Sequence, residues 1–155
     1  MNPMRPPTFE HLFSYQAQLR APEIIGPVPE GIRVNFYVTG GTIDGPRLRG
    51  TILPVGGDWL TIRRDGIGVL DVRATLRAAD ATLIFVAYQG LGDLGPEGYE
   101  KFLQGETPPT LSLRTTPSFR SSAPQYQWLH RVLCVSTGVV DFERSEVRYD
   151  VFAVG

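Results

Sequence analysis

The sequence predicts an all-β protein, a single antiparallel β-barrel of about eight to ten strands with one or two short helices. Turn signals rich in Gly, Pro and Asp recur at intervals of roughly eight to twelve residues along the 155-residue chain. The segments between them are short, and the clearest of them alternate between apolar and polar residues. No repeat or linker divides the chain. We therefore expect one barrel domain at residues 9–155, preceded by a flexible arm at residues 1–8.

The strongest strand signal lies at residues 32–39. The segment has period two, with apolar Ile32, Val34, Phe36 and Val38 on one face and Arg33, Asn35, Tyr37 and Thr39 on the other. In an open sheet the polar face would meet water. In a closed barrel either face can line a cavity, and the sequence does not choose between the two.

The remaining elements follow from turn positions. Further strands are predicted at 9–19, 47–53, 68–76, 82–89, 111–114, 131–140 and 146–154. The proline-rich segment 21–31 is predicted to be a loop, and the glycine cluster 40–46 to be a turn. One short helix is predicted near Pro96–Leu103, because proline suits a first helical turn.

Composition excludes several classes of protein. The chain is 42% hydrophobic and 20% charged, with a formal net charge of -1, so no basic surface for nucleic acid is indicated. No apolar segment is long enough for a membrane span, and the first residues lack the apolar core of a signal peptide. The single cysteine, Cys134, cannot form an internal disulfide and is typical of a reducing compartment. We expect a cytoplasmic protein without membrane or nucleic-acid partners.

The stretch 50–73 is the most informative for function. It contains two turns, Pro54–Gly57 and Arg64–Gly66, each between β-prone runs. Asp58 directly follows the first turn, and Arg73 lies beyond the second. The acid of Asp58, the aromatic ring of Trp59 and the guanidinium of Arg73 are thereby expected on adjacent strands. Such an arrangement can form part of a binding pocket.

Four motifs occur in one order along the chain: Gly40-Gly41 with Asp44-Gly45-Pro46, Leu53-Pro54 with Gly56-Gly57-Asp58-Trp59, Leu70-Asp71-Val72-Arg73, and Tyr126-Gln127-Trp128-Leu129. Together they resemble a bacterial family of unknown function, the domain of unknown function three-two-three-seven. The resemblance runs from about Phe9 to Val154. It implies a single antiparallel β-barrel and no agreed reaction. Two positions depart from the family pattern: His130 where Asn is usual, and Ala81 where Gly is usual.

Four residues are candidates for catalysis. Asp58 is the candidate general base, since desolvation beside an aromatic ring would raise the pKa of its carboxyl, although it can equally cap the turn. Arg73 is a candidate for binding a carboxylate or an enolate-like oxygen, with an ion pair to Asp71 as the alternative. Tyr126 and His130 are candidate acids, and anchoring of a loop is the alternative for Tyr126.

Four further residues are candidates for substrate binding: Trp59, Trp128, Arg33 and Tyr88. Tryptophans that line a cavity supply flat apolar contact for a ring-bearing ligand, whereas core packing is their common alternative role. The chain has only two histidines, and no ligand spacing indicates a metal site. Dinucleotide and phosphate motifs are absent, so no cofactor is expected.

Three functions remain open from the sequence. The first is a cofactor-free enzyme for proton transfer next to a carbonyl or aromatic group, as an isomerase, cyclase, lyase or lactone hydrolase. The second is a non-catalytic carrier or sensor of a small molecule. The third is a structural or interaction protein with a filled barrel. We also expect a homodimer or higher assembly, since most soluble oligomers are symmetric.

Overall fold

The computed structural model describes residues 1–155, and most of its regular secondary structure is β-strand. Its elements are β1 (Phe9–Leu19), β2 (Glu23–Val28), β3 (Gly31–Asp44), β4 (Gly50–Ile52), β5 (Gly57–Ile62), β6 (Ile67–Ala78), β7 (Leu83–Asp93), α1 (Gly98–Leu103), β8 (Thr110–Thr115), β9 (Ser118–Arg120), a 3₁₀ helix (Pro124–Arg131), β10 (Leu133–Asp141) and β11 (Glu146–Val154). The predicted fold class is confirmed, and the two short helices agree with the one or two that were expected.

Eight strands close into an antiparallel ring in the order β1, β3, β5, β6, β7, β8, β10 and β11, with β11 paired back to β1. Three short strands lie outside this ring. β2 pairs with β3, β4 bridges β3 and β6, and β9 pairs with β7. Closure removes the exposed edges that an open sheet of this length would present.

One end of the barrel is filled with side chains. Phe13 and Phe119 are almost fully buried there, with ring centroids 5.5 Å apart in an edge-to-face arrangement. The 3₁₀ helix lies at this end and inserts the buried Leu129 into the same core. We call this the packed end of the barrel.

The opposite end is covered by α1 and by the turn that joins β10 to β11. Tyr99 of α1 is buried against the inward side chains of β3 and β5, which form a second small core of Ile32, Val34, Ile62 and Tyr99. The predicted helix near Pro96–Leu103 is confirmed as α1. We call this end the mouth.

The prediction of a loop at residues 21–31 is wrong, because Glu23–Val28 forms β2 and pairs with β3. The register shifts at Gly26, which has a φ of 104°, so this strand is interrupted by a bulge that glycine permits. Pro27 is tolerated because β2 is an edge strand, where one missing N–H breaks no central ladder.

The prediction of a turn at residues 40–46 is also wrong in its first part. β3 continues through the glycine pair to Asp44 and pairs with β1 along this half. A side chain at Gly41 would collide with the backbone of Gln16 on β1, so glycine is needed here for close approach rather than for a turn.

The 3₁₀ helix was not predicted, and β10 begins at Leu133 rather than at Arg131. Pro124 occupies its first position, where the absence of a proline N–H costs no hydrogen bond. Neither helix is long and apolar enough to cross a membrane.

Candidate functional site

A cavity of about 80 Å³ lies inside the barrel between its middle and the mouth. Of the 26 residues that line it, 22 are hydrophobic, three are glycine, and the last is Asp58. Asp58 is therefore the only charged side chain facing this space. The hydroxyls of Tyr15, Tyr88 and Tyr149 supply its other polar side-chain atoms.

Strand register explains how Asp58 reaches the cavity. One row of directly paired residues crosses four neighbouring strands: Phe36, Asp58, Val72 and Tyr88. Directly paired residues share a face of the sheet, and all four side chains point inward. The period-two pattern of β5 continues this face through Leu60 and Ile62.

The carboxyl of Asp58 has a single hydrogen-bond donor. The backbone N–H of Asp71 donates to Oδ1 of Asp58 at 2.9 Å. The β5–β6 ladder pairs Asp58 with Val72 and Thr61 with Val69, and no pair forms between these positions. The Asp58 carboxyl thus accepts a hydrogen bond from a backbone N–H of β6 at a point where the β5–β6 pairing is interrupted. It does not cap the turn.

Burial makes this carboxyl unusual. Desolvation raises the pKa of Asp58 from 3.8 to about 7, and the nearby Asp71 charge adds to the rise. The hydrogen bond from the Asp71 N–H and the charge of Arg33 act in the opposite direction and lower the pKa. Protonated and charged forms of Asp58 are therefore both populated near neutral pH.

Three tyrosines form a cluster in the cavity, and one of them is Tyr88, the last residue of the row that contains Asp58. Tyr15 donates a hydrogen bond to the Tyr88 hydroxyl at 2.9 Å, and the Tyr149 ring lies 5.1 Å from Tyr15 and 5.6 Å from Tyr88. Tyr149 is paired with Gly138, where any side chain would collide with its ring. The missing side chain at Gly138 leaves the space that the Tyr149 ring occupies.

Burial raises the pKa of all three tyrosines, and the charge of Asp58 raises those of Tyr88 and Tyr149 further. They remain protonated near neutral pH and can donate hydrogen bonds. The site thus combines one titrating acid with neutral hydroxyl donors in an apolar enclosure. Such a combination can accept a proton and hold a developing oxyanion.

The outer face of the same strands carries several of the predicted site residues. Arg73 is exposed and lies 3.7 Å from the carboxylate of Asp71, and its guanidinium is 5.9 Å from the ring centroid of Trp59. Arg33 donates to Thr61 at 3.0 Å on this outer face. Because side chains alternate across a strand, Trp59, Arg73 and Arg33 are directed away from Asp58.

The residues of the fourth motif lie at the packed end, far along β10 from the mouth. Tyr126 donates to Asp80 at 3.0 Å, and the Arg47 guanidinium covers the Trp128 ring at 4.1 Å. His130 is exposed, and its Nε2 accepts a hydrogen bond from the Ser121 N–H at 3.0 Å. These contacts anchor the 3₁₀ helix.

The prediction that these residues converge on one cavity is therefore wrong. Asp58 and Tyr88 line the cavity, whereas Arg33, Trp59, Arg73, Tyr126, Trp128 and His130 do not. The prediction assumed that positions near turns gather at one barrel end. Trp59 and Arg73 lie on the outer face of β5 and β6, and the 3₁₀ helix lies at the packed end, so neither set reaches the cavity.

Sequence reasoning missed Tyr15 and Tyr149. Both lie on the inward face of predicted strands, Tyr15 between Phe13 and Ala17 and Tyr149 between Val147 and Val151. A tyrosine within an apolar alternation was a usable signal, because a buried hydroxyl needs a partner. Their mutual proximity depends on the pairing of β1 with β11, which the pattern alone does not give.

Acidic, histidine and cysteine side chains do not cluster in this structure. No group of three or more His, Cys, Asp or Glu side chains is placed to hold a metal ion. Burial raises the pKa of the Cys134 thiol to about 11, so this group remains protonated.

Fold and site together define a class: a small closed β-barrel with an internal apolar cavity and a single ionisable acid. The chain belongs to the family described as "Protein of unknown function (DUF3237)", whose model matches residues 7–154. The resemblance noted from the four motifs is thereby confirmed.

Two similar proteins are described without an activity. The UPF0311 protein RPA1785 of Rhodopseudomonas palustris is 29% identical over 143 residues, which cover 89% of this chain and 93% of that protein. A β-barrel-like protein of Acinetobacter baumannii has a similar structure, with a TM-score of 0.82, 28% identity and 99% of each chain covered.

A third similar structure comes from the fungus Penicillium herquei and is described as an enzyme. Its TM-score is 0.69 and its identity 22%, covering 100% of this chain and 99% of the other. At this identity the likeness is one of fold.

Proposed function

We propose that this protein is a cofactor-free enzyme that catalyses proton transfer on a small carbonyl or aromatic compound. Isomerisation, cyclisation, elimination and lactone opening are the reaction types that this chemistry includes. One observation carries the proposal: Asp58 is the only charged side chain that lines an otherwise apolar cavity. An isolated acid in such a place costs stability, which is typical of a functional group.

The proposed reaction begins with Asp58 as the carboxylate. It takes a proton from the carbon next to a carbonyl, and the electron pair of the broken C–H bond moves onto the carbonyl oxygen. A tyrosine hydroxyl of the cluster, Tyr88 or Tyr149, donates a hydrogen bond to that oxygen. The protonated Asp58 then returns the proton to a different atom of the same molecule, which completes an isomerisation without any cofactor.

The acidity of Asp58 suits this role. A base whose pKa lies near the working pH combines a useful population of carboxylate with a strong drive to take the proton. The value of about 7 meets this condition, and an exposed aspartate would be a weaker base. The fold of the Penicillium herquei enzyme adds that a barrel of this kind can house catalysis.

Deuterium exchange tests the proposal without knowledge of the natural substrate. The protein is incubated in D₂O with a panel of small uncharged ketones and lactones, and incorporation next to the carbonyl is followed by mass spectrometry. Wild-type protein should accelerate incorporation for some of them. Asp58→Asn should lower that rate by at least about a hundredfold, while ligand affinity stays within roughly tenfold.

Asp71→Asn is the matched control for this experiment. It removes a neighbouring carboxylate on the outer face but keeps the backbone N–H that Asp58 uses. Exchange should persist in this variant. Equal loss in both variants, or no exchange with any compound, would argue against catalysis by Asp58.

The second candidate is a non-catalytic carrier, which the same cavity favours. An apolar lining with three protonated tyrosines can bind a small molecule by burial and hydrogen bonding alone. Tight binding without deuterium exchange would select this function. A purely structural barrel is disfavoured, since its centre is not filled.

We also propose a homodimer. An exposed apolar patch crosses three strands at the packed end, where Leu133 is paired with Val154 and Val154 with Phe9. Leu133 and Phe9 are 68% and 59% exposed. Such patches are typical of interaction surfaces. Light scattering should give about twice the chain mass of 17.1 kDa, and Leu133→Glu should lower it, whereas a wild-type monomer would contradict the dimer.

A further inference from the structure

A second hollow adjoins the cavity at the mouth. It has a volume of about 200 Å³ and lies between β2, α1, the segment 104–109 and the β10–β11 turn. We call it the vestibule. Five residues line both spaces and so form the wall between them: Leu19, Phe36, Phe102, Val140 and Phe142. Three are phenylalanines, which we call the aromatic collar.

The collar stands next to the candidate catalytic acid. Phe36 is the direct cross-strand partner of Asp58, so their β-carbons are about 5 Å apart on the same face. A ligand passing the collar would therefore meet Asp58 at once. The vestibule is the direct approach to the site.

The inner cavity is too small to hold a ring-bearing ligand alone. Its volume is about 80 Å³, whereas an apolar cavity that binds benzene has about 150 Å³. The vestibule offers the missing room only when the collar opens. A ligand with a ring at Asp58 would therefore extend through the collar into the vestibule.

Charge in both spaces restricts the ligand further. No cation lines the cavity, and Asp58 is its one ionisable acid. At the vestibule the Arg20 guanidinium lies over the Tyr37 ring at 4.3 Å. Asp141, on the opposite side, accepts the N–H groups of Glu143 and Arg144. An anionic group inside the inner cavity would lie beside Asp58 without a cationic partner, which is strongly unfavourable in an apolar enclosure.

We propose that cavity and vestibule form one two-part binding site gated by Phe102, and that its ligand is an uncharged, elongated, mainly apolar molecule. The inner part of the site takes the end of the ligand that bears the polar group, and the vestibule takes the remainder. The inference rests on the proposed function only in assigning that polar end to Asp58. Binding and gating do not require turnover.

Phe102 is the collar member that is placed to move. Phe36 lies within the long strand β3, and the backbone N–H of Phe142 is held by the Pro109 carbonyl at 3.0 Å. Phe102 lies on a six-residue helix that lacks a side-chain N-cap bond. The chain continues from α1 through Gly105, whose φ of 79° is easily adopted by glycine alone. Rotation of this one side chain joins the two spaces.

A matched pair of fluorescent probes tests the ligand class. N-phenyl-1-naphthylamine is uncharged, and 8-anilino-1-naphthalenesulfonate has the same ring skeleton with a sulfonate added. The uncharged probe should bind wild-type protein at least about tenfold more tightly than the anion. Equal affinity of the two probes, or tighter binding of the anion, would overturn the assignment of an uncharged ligand.

Substitutions on α1 test the gate. Phe102→Ala should raise the association rate constant of the uncharged probe by at least about threefold, and Phe102→Trp should lower it. Leu103→Ala is the control, because Leu103 lies on the same helix, is 45% exposed and lines neither space. Opposite effects at position 102 exclude a general loosening of the helix. Equal rates in all variants would overturn the gate.

Asp58→Asn separates this inference from the proposed function. Removing the charge of Asp58 should change the affinity for the uncharged probe by less than about threefold. It should also reduce the ratio of the affinity for the uncharged probe to the affinity for the anionic probe. If wild-type protein binds the uncharged probe through the Phe102 gate but exchanges no deuterium, catalysis fails and the two-part site is supported. If Asp58→Asn leaves the preference between the probes unchanged, the probes bind elsewhere and the two-part site is overturned.

Discussion

Two aspartates on neighbouring strands show how the face of the sheet determines the burial and the chemical role of a carboxyl group. Asp58 and Asp71 are connected by one hydrogen bond of 2.9 Å, from the backbone of one to the carboxyl of the other. Asp58 points into the cavity, and burial raises its pKa to about 7. Asp71 points outward and lies near Arg73 in a partly exposed ion pair. The inner carboxyl is therefore suited to proton transfer, and the outer one contributes to a solvated surface.

The same contrast applies to hydroxyls. Tyr88 is buried, and its hydroxyl accepts the hydrogen bond of Tyr15 within the apolar cavity. Tyr37, on the outer face of β3, donates to Glu23 at 2.6 Å. Water can replace the partner of Tyr37, whereas the Tyr15 hydroxyl lies in an apolar enclosure, where the loss of a hydrogen-bond partner costs more. The loss of a hydroxyl from the inner face should therefore lower the free energy of unfolding more than the loss of one from the outer face.

The largest expected effect is on the pH dependence of stability. Because the folded-state pKa of Asp58 is raised from 3.8 to about 7, the folded protein retains a proton that the unfolded chain has released. Its stability should fall as pH rises from about 4 to 7, and the full cost, roughly 4 kcal/mol, remains above that range. The free energy of unfolding of Asp58→Asn minus that of wild type, measured in urea, should therefore grow with pH.

Asp71→Asn provides the comparison for this titration. The Asp71 charge raises the pKa of Asp58, so its removal should move the midpoint to lower pH without abolishing the dependence. A difference between Asp58→Asn and wild type that is constant with pH would show that Asp58 does not titrate with a raised pKa.

Alternation separates the two faces of residues 32–39, but it leaves open which of them lines the interior. In the structure the apolar face points inward. Asp58 is a candidate in the sequence because it follows a turn and stands beside a tryptophan. The neighbours Asp58 and Trp59 nevertheless occupy opposite faces, so adjacency in the chain was misleading. Asp58 is the one charged side chain among apolar neighbours because β5 pairs with β3 and β6 in a particular register. A local sequence pattern does not encode this long-range register.

Glycines and prolines were the other source of error. Gly-Gly at positions 40 and 41 resembled a turn, but a β-strand also needs glycine where another backbone approaches closely. Prolines in segment 21–31 resembled a loop, yet an edge strand accepts them. In both cases the residue has two physical uses, and only the neighbouring strand decides between them.

The second effect concerns the tyrosine cluster. Tyr88→Phe removes the acceptor of the Tyr15 hydroxyl in a buried setting, so the free energy of unfolding should fall by about 1–2 kcal/mol. Tyr37→Phe should change it by less than about 0.5 kcal/mol, because its bond to Glu23 is exposed. Urea denaturation of both variants measures the difference, and equal effects would remove the distinction between inner and outer hydroxyls.

A third, smaller effect lies in the backbone outside the barrel. Ala81 in the β6–β7 turn has a φ of 71°, which is unfavourable for any residue with a β-carbon. Ala81→Gly should relieve this cost and raise the free energy of unfolding by about 0.5–1 kcal/mol after the larger chain entropy of glycine is subtracted. Thermal denaturation at fixed pH measures this gain. A loss of stability would show that the turn holds alanine without strain.

The smallest effect on stability is expected for substitution of Arg73 on the outer face. Arg73 lies 3.7 Å from Asp71, and both side chains are about half exposed. Such surface pairs contribute about 0–1 kcal/mol, and lysine keeps the positive charge. Arg73→Lys should therefore change the free energy of unfolding by less than about 0.5 kcal/mol and the affinity for N-phenyl-1-naphthylamine by less than about twofold. Fluorescence titration of this variant checks the second value. A marked loss of probe binding would mean that the outer face communicates with the cavity, and the separation between Asp58 and Asp71 would then fail as an account of the site.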